Sequence, residues 1–342
     1  MKSAILVHPR FDAVWPFAAD HARQLWEKEG SVEFVRLAPD DVRPVATILT
    51  SPATLTRLLL LDVPLSSDGV DQLPQLHEIA WNEGGYTFDS KEHIAVRQKL
   101  TDCGVRIVRH TSEGFWGQSV AEFGLGLTLG ALRRIPQLHR AIIEAQASWN
   151  YDPPDGMGRP SVRGQQYGDD PNFTSGTLSG KRVRIVGAGN IASRYASFCQ
   201  FLGADVAAWD PFASEPCFHR SGARRELVLD RLGIDADIYA PMLPLTDQTK
   251  GLVTAAHINA LPRGTLVVLV TRAGICDVPT LRRRVLADEL ALAADVFDVE
   301  PLPLDDPLLG RANVVHTPHI AGRTREANER WAEMLLAQFA PA

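Results

Sequence analysis

Side chains able to hold or move charge follow each of three apolar runs in the last quarter of this chain. Arg272 follows TLVVLVT, Asp298 and Glu300 follow LALAADVF, and His319 follows NVVHTP. Each has an ordinary reading alone: a surface ion pair for Arg272, a solvated loop for Glu300, a packed histidine for His319. Together they supply a different chemistry. A guanidinium fork can hold a carboxylate and polarise a neighbouring carbonyl. An imidazole exchanges a proton near neutral pH, and a carboxylate beside it orients the ring and favours its protonated form. That set suits hydride transfer to or from an oxygen-bearing carbon, provided something carries the hydride.

The elements around them suggest how they converge. Ligands of open α/β sheets sit beyond the carboxyl ends of the strands, so residues distant in sequence meet there. Upstream, the strand RVRIV runs into Gly187-Ala-Gly189-Asn190-Ile191-Ala192 and then a helical pattern. This is a G-x-G-x-x-A dinucleotide turn. Gly187 permits the tight turn, Gly189 lets the backbone approach a pyrophosphate, and Ala192 keeps helix and strand close. The helix start offers free N–H groups to the phosphates. Asp210 closes the following strand, where an acid can take both ribose hydroxyls and repel a 2′-phosphate. Pro211 and Phe212 follow it, not arginine. The expectation is NAD(H), with NADP disfavoured. A methyltransferase also uses a glycine turn and an acid, and is the minor competitor.

The whole chain fits that frame. Its 342 residues, 45% of them hydrophobic, can bury more core than one domain needs. Short apolar runs alternate with helical patterns, about five strands and then about six, as in two doubly wound, Rossmann-like α/β domains with a parallel sheet each. A net charge of −6 without a long basic run makes the chain a poor candidate for nucleic-acid binding, and no such partner is expected. The four cysteines, Cys103, Cys199, Cys217 and Cys276, form no CxxC pair, which fits a reducing cytosol and no metal site. MKSAILVHPR reads as a first strand, not a signal peptide, and no run is long enough to span a membrane. The expected location is cytoplasmic.

Near the join of the halves, Ser119 and Glu122 have capping-box spacing before a helix containing Gly124, Gly126 and Gly130. Those glycines suggest close approach of another helix, within the chain or across a dimer. Residues 150–176 read as a long loop rich in proline, glycine and aspartate.

With these residues in view, the chain resembles the D-isomer-specific 2-hydroxyacid dehydrogenases. The matching text is SVAEFGLGL (119–127), LSGKRVRIVGAGNIA (178–192), PLTDQTKGLV (244–253), TRAGICD (271–277), DVFDVEPLPLDDPLL (295–309) and TPHIAG (317–322). The resemblance implies a 2-keto acid reductase using NAD(H), in which Arg272 binds the substrate, His319 is the acid/base and Glu300 is its partner. The cofactor would contact Gly187, Gly189, Asn190, Ile191, Asp210, Pro244, Thr249, Thr271 and His319. It implies a flavodoxin-like substrate domain, 1–112 plus 321–342, and a NAD-binding domain, 113–320, with a cleft between them. A homodimer through a helix at 119–148 is implied too. Gly84 and Gly85, in Asn82-Glu83-Gly84-Gly85-Tyr86, correspond to a substrate loop, although Tyr86 and Phe88 are unusual there. Leu269, Ala273 and Ala192 also depart from the family's common residues, and none removes a catalytic group. The competing class is a binding protein that senses NAD(H) on the same fold.

Other polar residues read as surface or structural. His316 lies on a strand, and His93, His110, His139, His219 and His257 have no metal-ligand spacing. Asp277 suits a helix N-cap. Glu113 and Trp116 lie near the interdomain join.

Overall fold

In the computed structural model, which describes residues 2–82, 91–145 and 168–341, the chain divides into two compact units. One comprises Met1–Phe115 with Arg323–Ala342, the other Trp116–Gly322.

The first unit is built on a parallel sheet of five strands: β1 (Ser3–Val7), β2 (Val32–Arg36), β3 (Arg57–Leu61), β4 (Glu78–Asn82) and β5 (Arg106–Val108). Their order is β2-β1-β3-β4-β5. The two central strands, SAILV and RLLLL, are buried along their whole length. Helices on both faces of a parallel sheet exclude water from both sides, which is why these strands are continuously apolar rather than alternating. The C-terminal helix Arg325–Leu336 belongs to this unit and packs on the helix Ala18–Glu27. The Trp331 ring lies 5.3 Å from Phe11 and 4.9 Å from His110. His110 also donates from Nε2 to the Trp331 carbonyl at 2.8 Å. It is therefore a packed histidine, as expected.

The second unit has seven parallel strands: β6 (Arg182–Val186), β7 (Asp205–Trp209), β8 (Arg224–Arg225), β9 (Ile238–Pro241), β10 (Leu266–Leu269), β11 (Ala291–Ala294) and β12 (Val314–His316). Their order is β12-β11-β10-β9-β6-β7-β8. The seventh, β8, escapes the sequence pattern because it is a two-residue exposed edge strand of arginines. The order reverses between β6 and β9, the position where a doubly wound sheet opens a crevice for a ligand. The helix Asn190–Phe201 buries Ala192, Ser193, Tyr195, Ala196 and Cys199, one face at helical spacing.

Two local expectations are corrected. The helix carrying Gly124 begins at Gly117 with Trp116 as N-cap, so Ser119 and Glu122 form no capping box. The Ser119 hydroxyl donates instead to the Ala321 carbonyl, and Glu122 accepts from Gln118. The tertiary partner at residue 321 outcompetes the local bond. The region expected as one helical stretch at 119–148 is two helices, Gly117–Leu132 and Ile135–Glu144, broken at the left-handed Arg134 (φ 51°). Gly124 packs within the unit: an added Cβ would sit 3.3 Å from Val270 Cγ2 and 3.5 Å from Tyr195 Cδ2. Gly126 and Gly130 meet nothing described within 4 Å. Of the loop 150–176, residues 150–167 lie outside the described residues. Its end is tied down by Thr174 N donating to Gly264 O (2.8 Å) and Gly176 N to Leu132 O (3.0 Å).

Candidate active site

At the end of β6, Gly187 adopts φ 112°, and a Cβ there would lie 2.8 Å from the Met242 carbonyl. Only glycine fits. Gly189 is the N-cap of the helix Asn190–Phe201, without a side-chain cap, and a Cβ added to it would meet nothing within 4 Å. The turn thus presents open backbone, with Asn190 and Ile191 in the first helical turn, as a pyrophosphate requires. Ala192, 1% exposed, packs the helix onto the sheet.

Asp210, after β7, is turned inward. Its Oδ2 accepts from Ala188 N at 2.8 Å, and its Oδ1 accepts from Phe212 N and Ala213 N, both at 2.9 Å. The carboxylate therefore braces the glycine turn. A carboxylate has about four acceptor positions, so one on Oδ2 stays open, where the sequence suggested an acid able to take both ribose hydroxyls. Across the reversal of strand order, the loop after β9 is closed by Thr249 Oγ1, which donates to Pro244 O at 2.5 Å and accepts from Thr246 N at 2.8 Å. Thr271 is buried, its hydroxyl 3.5 Å from the Pro241 carbonyl.

Neighbouring strands β10, β11 and β12 carry the charged set. Arg272 follows β10, and its Nη1 donates to the Thr271 carbonyl at 2.7 Å. Leu269 is a buried strand residue, and Ala273 opens the 3-10 turn Ala273–Ile275. Glu300 follows β11 and is fixed at both oxygens. Oε1 accepts from Phe297 N at 2.8 Å, and Oε2 lies 2.7 Å from His319 Nδ1. With the carboxylate as acceptor, Nδ1 carries the proton of that bond, and Nε2 has no hydrogen-bond partner among the described residues. The His319 side chain is 40% exposed, so this pair is accessible. Asp298, the other acid in this stretch, lies 3.7 Å from Arg282 and is an ion-pair partner.

His319 has φ 55°, an uncommon conformation for a residue with a Cβ. The group that holds it is Asp295, fully buried at the end of β11. Its Oδ1 accepts from Thr317 Oγ1 (2.6 Å) and Ile320 N (3.0 Å), and its Oδ2 from Ala321 N (2.8 Å). Sequence reading passed over Asp295. The available signal was an acid inside an apolar strand run, a position that demands buried partners. Gly322 lies against the Trp116 ring, leaving no room for a side chain.

The remaining candidates are structural or lie elsewhere. Gly84, Gly85, Tyr86 and Phe88 fall outside the described residues. Asp277 caps the helix Val278–Leu286, accepting from Thr280 N at 3.0 Å. His257 completes a capping box with Thr254 and pairs with Asp230. His93 stacks edge-on to Trp81. His316 is half-buried at the end of β12, His139 and His219 are exposed, and so is Glu113. Among the described residues no group of three His, Cys, Asp or Glu could hold a metal, and no helix is long and apolar enough to cross a membrane.

Two parallel α/β units, a glycine turn at the reversal of strand order and an Arg/Glu/His set at adjacent strand ends define a doubly wound α/β protein with a polar site at its strand ends. The family model for the D-isomer specific 2-hydroxyacid dehydrogenase, NAD binding domain, matches residues 125–321. The chain belongs to that family. It is 33% identical over 210 residues to a D-3-phosphoglycerate dehydrogenase of Archaeoglobus fulgidus, covering 61% of this chain and 36% of that one. It is 30% identical over 287 residues to a glyoxylate reductase of Thermofilum pendens, covering 81% and 75%. The chain thus spans about a third of the first relative's length and three quarters of the second's. The fold is shared with a D-lactate dehydrogenase of Treponema pallidum (TM-score 0.69, 17% identity, covering 98% of this chain and 95% of that one). A phosphoglycerate oxidoreductase from Rhizobium etli shares it equally (TM-score 0.69, 21% identity, covering 100% and 97%).

Proposed function

We propose that this chain is an NAD(H)-dependent oxidoreductase that interconverts a D-2-hydroxy acid and a 2-keto acid. The observation that carries this is the His319–Glu300 pair at 2.7 Å, with Glu300 anchored on the Phe297 amide and Arg272 on the adjacent strand end. When bound, the nicotinamide supplies or accepts the hydride. The rest falls to the chain itself. Arg272 holds the substrate carboxylate and polarises the carbonyl through its fork of donors. His319 delivers a proton from Nε2 to the carbonyl oxygen as that atom gains charge, and recovers it in the reverse direction. Glu300 stabilises the imidazolium and fixes the tautomer through Nδ1.

The glycine turn at Gly187 and Gly189, with Asn190 and Ile191, receives the pyrophosphate. Pro244, Thr249 and Thr271 line the nicotinamide half. Asp210 gives its remaining acceptor position to a ribose hydroxyl, favouring NAD(H) over NADP(H) because a 2′-phosphate would face its charge. The first unit, expected from the sequence at 1–112 plus 321–342, serves as the substrate domain, with Gly84 and Gly85 contributing to its carboxylate binding. A homodimer is the proposed assembly. Its support is the helix Ile135–Glu144, which buries no residue in the monomer and exposes Ile135, Ile142 and Ile143.

The test is NADH oxidation with glyoxylate, hydroxypyruvate, pyruvate and bulkier 2-keto acids, followed by absorbance. Turnover of at least one is expected. NADH binding without turnover of any would overturn the enzyme reading and leave an NAD(H)-sensing protein.

A further inference from the structure

The first unit has its own reversal of strand order, between β1 and β3. The residues that leave those two strands are His8 and Asp62, and His8 N donates to the carbonyl of Leu61, the last residue of β3, at 3.0 Å. Both are buried. The His8 ring fixes the loop after β1: Nδ1 accepts from Arg10 N at 3.1 Å, so Nε2 carries the proton and faces the Pro39 carbonyl at 3.3 Å. Asp62 is held at φ 56°, a conformation that side chains with a Cβ adopt at a cost and that recurs at ligand sites. Its Oδ2 accepts from Arg10 Nε at 2.7 Å.

This geometry leaves Arg10 oriented but unsaturated. Asp62 binds only the Nε corner of the guanidinium, and the side chain remains 66% exposed. Among the described residues, its two terminal nitrogens have no hydrogen-bond acceptor. A planar fork fixed at one corner by a buried carboxylate presents its other edge in the geometry that matches a second carboxylate bidentately. The position, at the carboxyl end of the strands where the order reverses, is where this class of sheet takes ligands.

We propose that the β1/β3 strand ends form a binding site for a small carboxylate, with Arg10 as the recognising group and Asp62 and His8 as the residues that position it. The carboxylate belongs either to a 2-keto acid that carries a second carboxyl group, in which case the assignment rests on the function proposed above, or to a separate acid.

The probe is succinate, titrated by calorimetry into the whole 342-residue chain without NADH. Saturable binding is expected, weakened about tenfold or more in Arg10→Gln, the scale of a hydrogen bond between charged groups. Arg10→Lys should not restore it, because an ammonium lacks the fork. Asp62→Asn, which tolerates the left-handed backbone, should weaken it too. Unchanged melting temperatures serve as the folding control. No saturable binding by the wild type, or equal affinity in Arg10→Gln, overturns the site. Kinetics separate the two sources. A rise in KM confined to 2-ketoglutarate in Arg10→Gln, with pyruvate unaffected, assigns the carboxylate to the substrate. Succinate inhibition of pyruvate reduction that Arg10→Gln abolishes assigns it to a separate acid. If no keto acid turns over, the oxidoreductase reading fails while the calorimetry still decides the site.

Discussion

Replacing Asp295 with asparagine should damage stability and turnover together. Asp295 accepts three hydrogen bonds from the turn that carries His319: two at Oδ1, from Thr317 Oγ1 and Ile320 N, and one at Oδ2, from Ala321 N. Asparagine can keep the Oδ1 pair, in weaker neutral form. Its amide then faces the Ala321 N–H, donor against donor, and that buried N–H loses its partner. A hydrogen bond to a charged group is worth about 1.5–3 kcal/mol and an unsatisfied buried donor costs about 1–3 kcal/mol. Removing a buried charge returns part of this. The expected net loss is about 3 kcal/mol in urea unfolding. The left-handed turn at His319 costs about 1–2 kcal/mol on its own, and with fewer restraints it relaxes toward ordinary backbone. A displacement of the imidazole by about 1 Å lowers kcat on the order of a hundredfold. NADH affinity should hold, because the glycine turn follows a different strand. Thr317→Val is the milder companion, removing one of the three bonds for about 1 kcal/mol. Unfolding free energy within about 0.5 kcal/mol of wild type, with unaltered kcat, would refute the clamp.

Other perturbations probe the remaining parts. His319→Ala should lower kcat by about a hundredfold or more while NADH still binds; intact kcat would remove His319 from proton transfer. Gly187→Ala places a methyl 2.8 Å from the Met242 carbonyl at φ 112° and should cost about 2 kcal/mol or more in thermal or urea unfolding. Gly189→Ala meets nothing within 4 Å, so it should fold normally and lose NADH affinity, and equal NADH titrations for this variant and wild type would contradict the pyrophosphate assignment. Burial pushes the His110 imidazole below its ordinary value of 6.5, outweighing its bond to the Trp331 carbonyl and the charge of Glu113. The unfolded chain then binds a proton that the folded chain resists. The stability tied to His110 is present above pH 6.5 and lost as pH falls from there through the depressed folded value. Unfolding free energies at neutral and mildly acidic pH should show an acid loss that shrinks in His110→Gln.

Much of this protein is legible from the chain because its signals are local. Runs such as RLLLL and TLVVLV are apolar at every position, and only a strand covered on both faces needs that. Gly187 and Gly189 mark a turn whose backbone no other residue can supply. Arg272, Glu300 and His319 stand out in the sequence because each lies within a few residues of a strand's carboxyl end. Local signals also misled. The Ser119–Glu122 spacing satisfies a capping rule, yet the Ser119 hydroxyl goes to Ala321, two hundred residues away in sequence. Tertiary structure alone decided which partners those side chains take. Asp295 became the clamp of the His319 turn because β11 and β12 are neighbours, and Asp210 became a brace for the glycine turn because β7 lies beside β6. The pattern of apolar residues sets which segments are strands. The order in which the strands pair sets which buried polar atoms must satisfy one another, and a single chain read end to end does not contain that order.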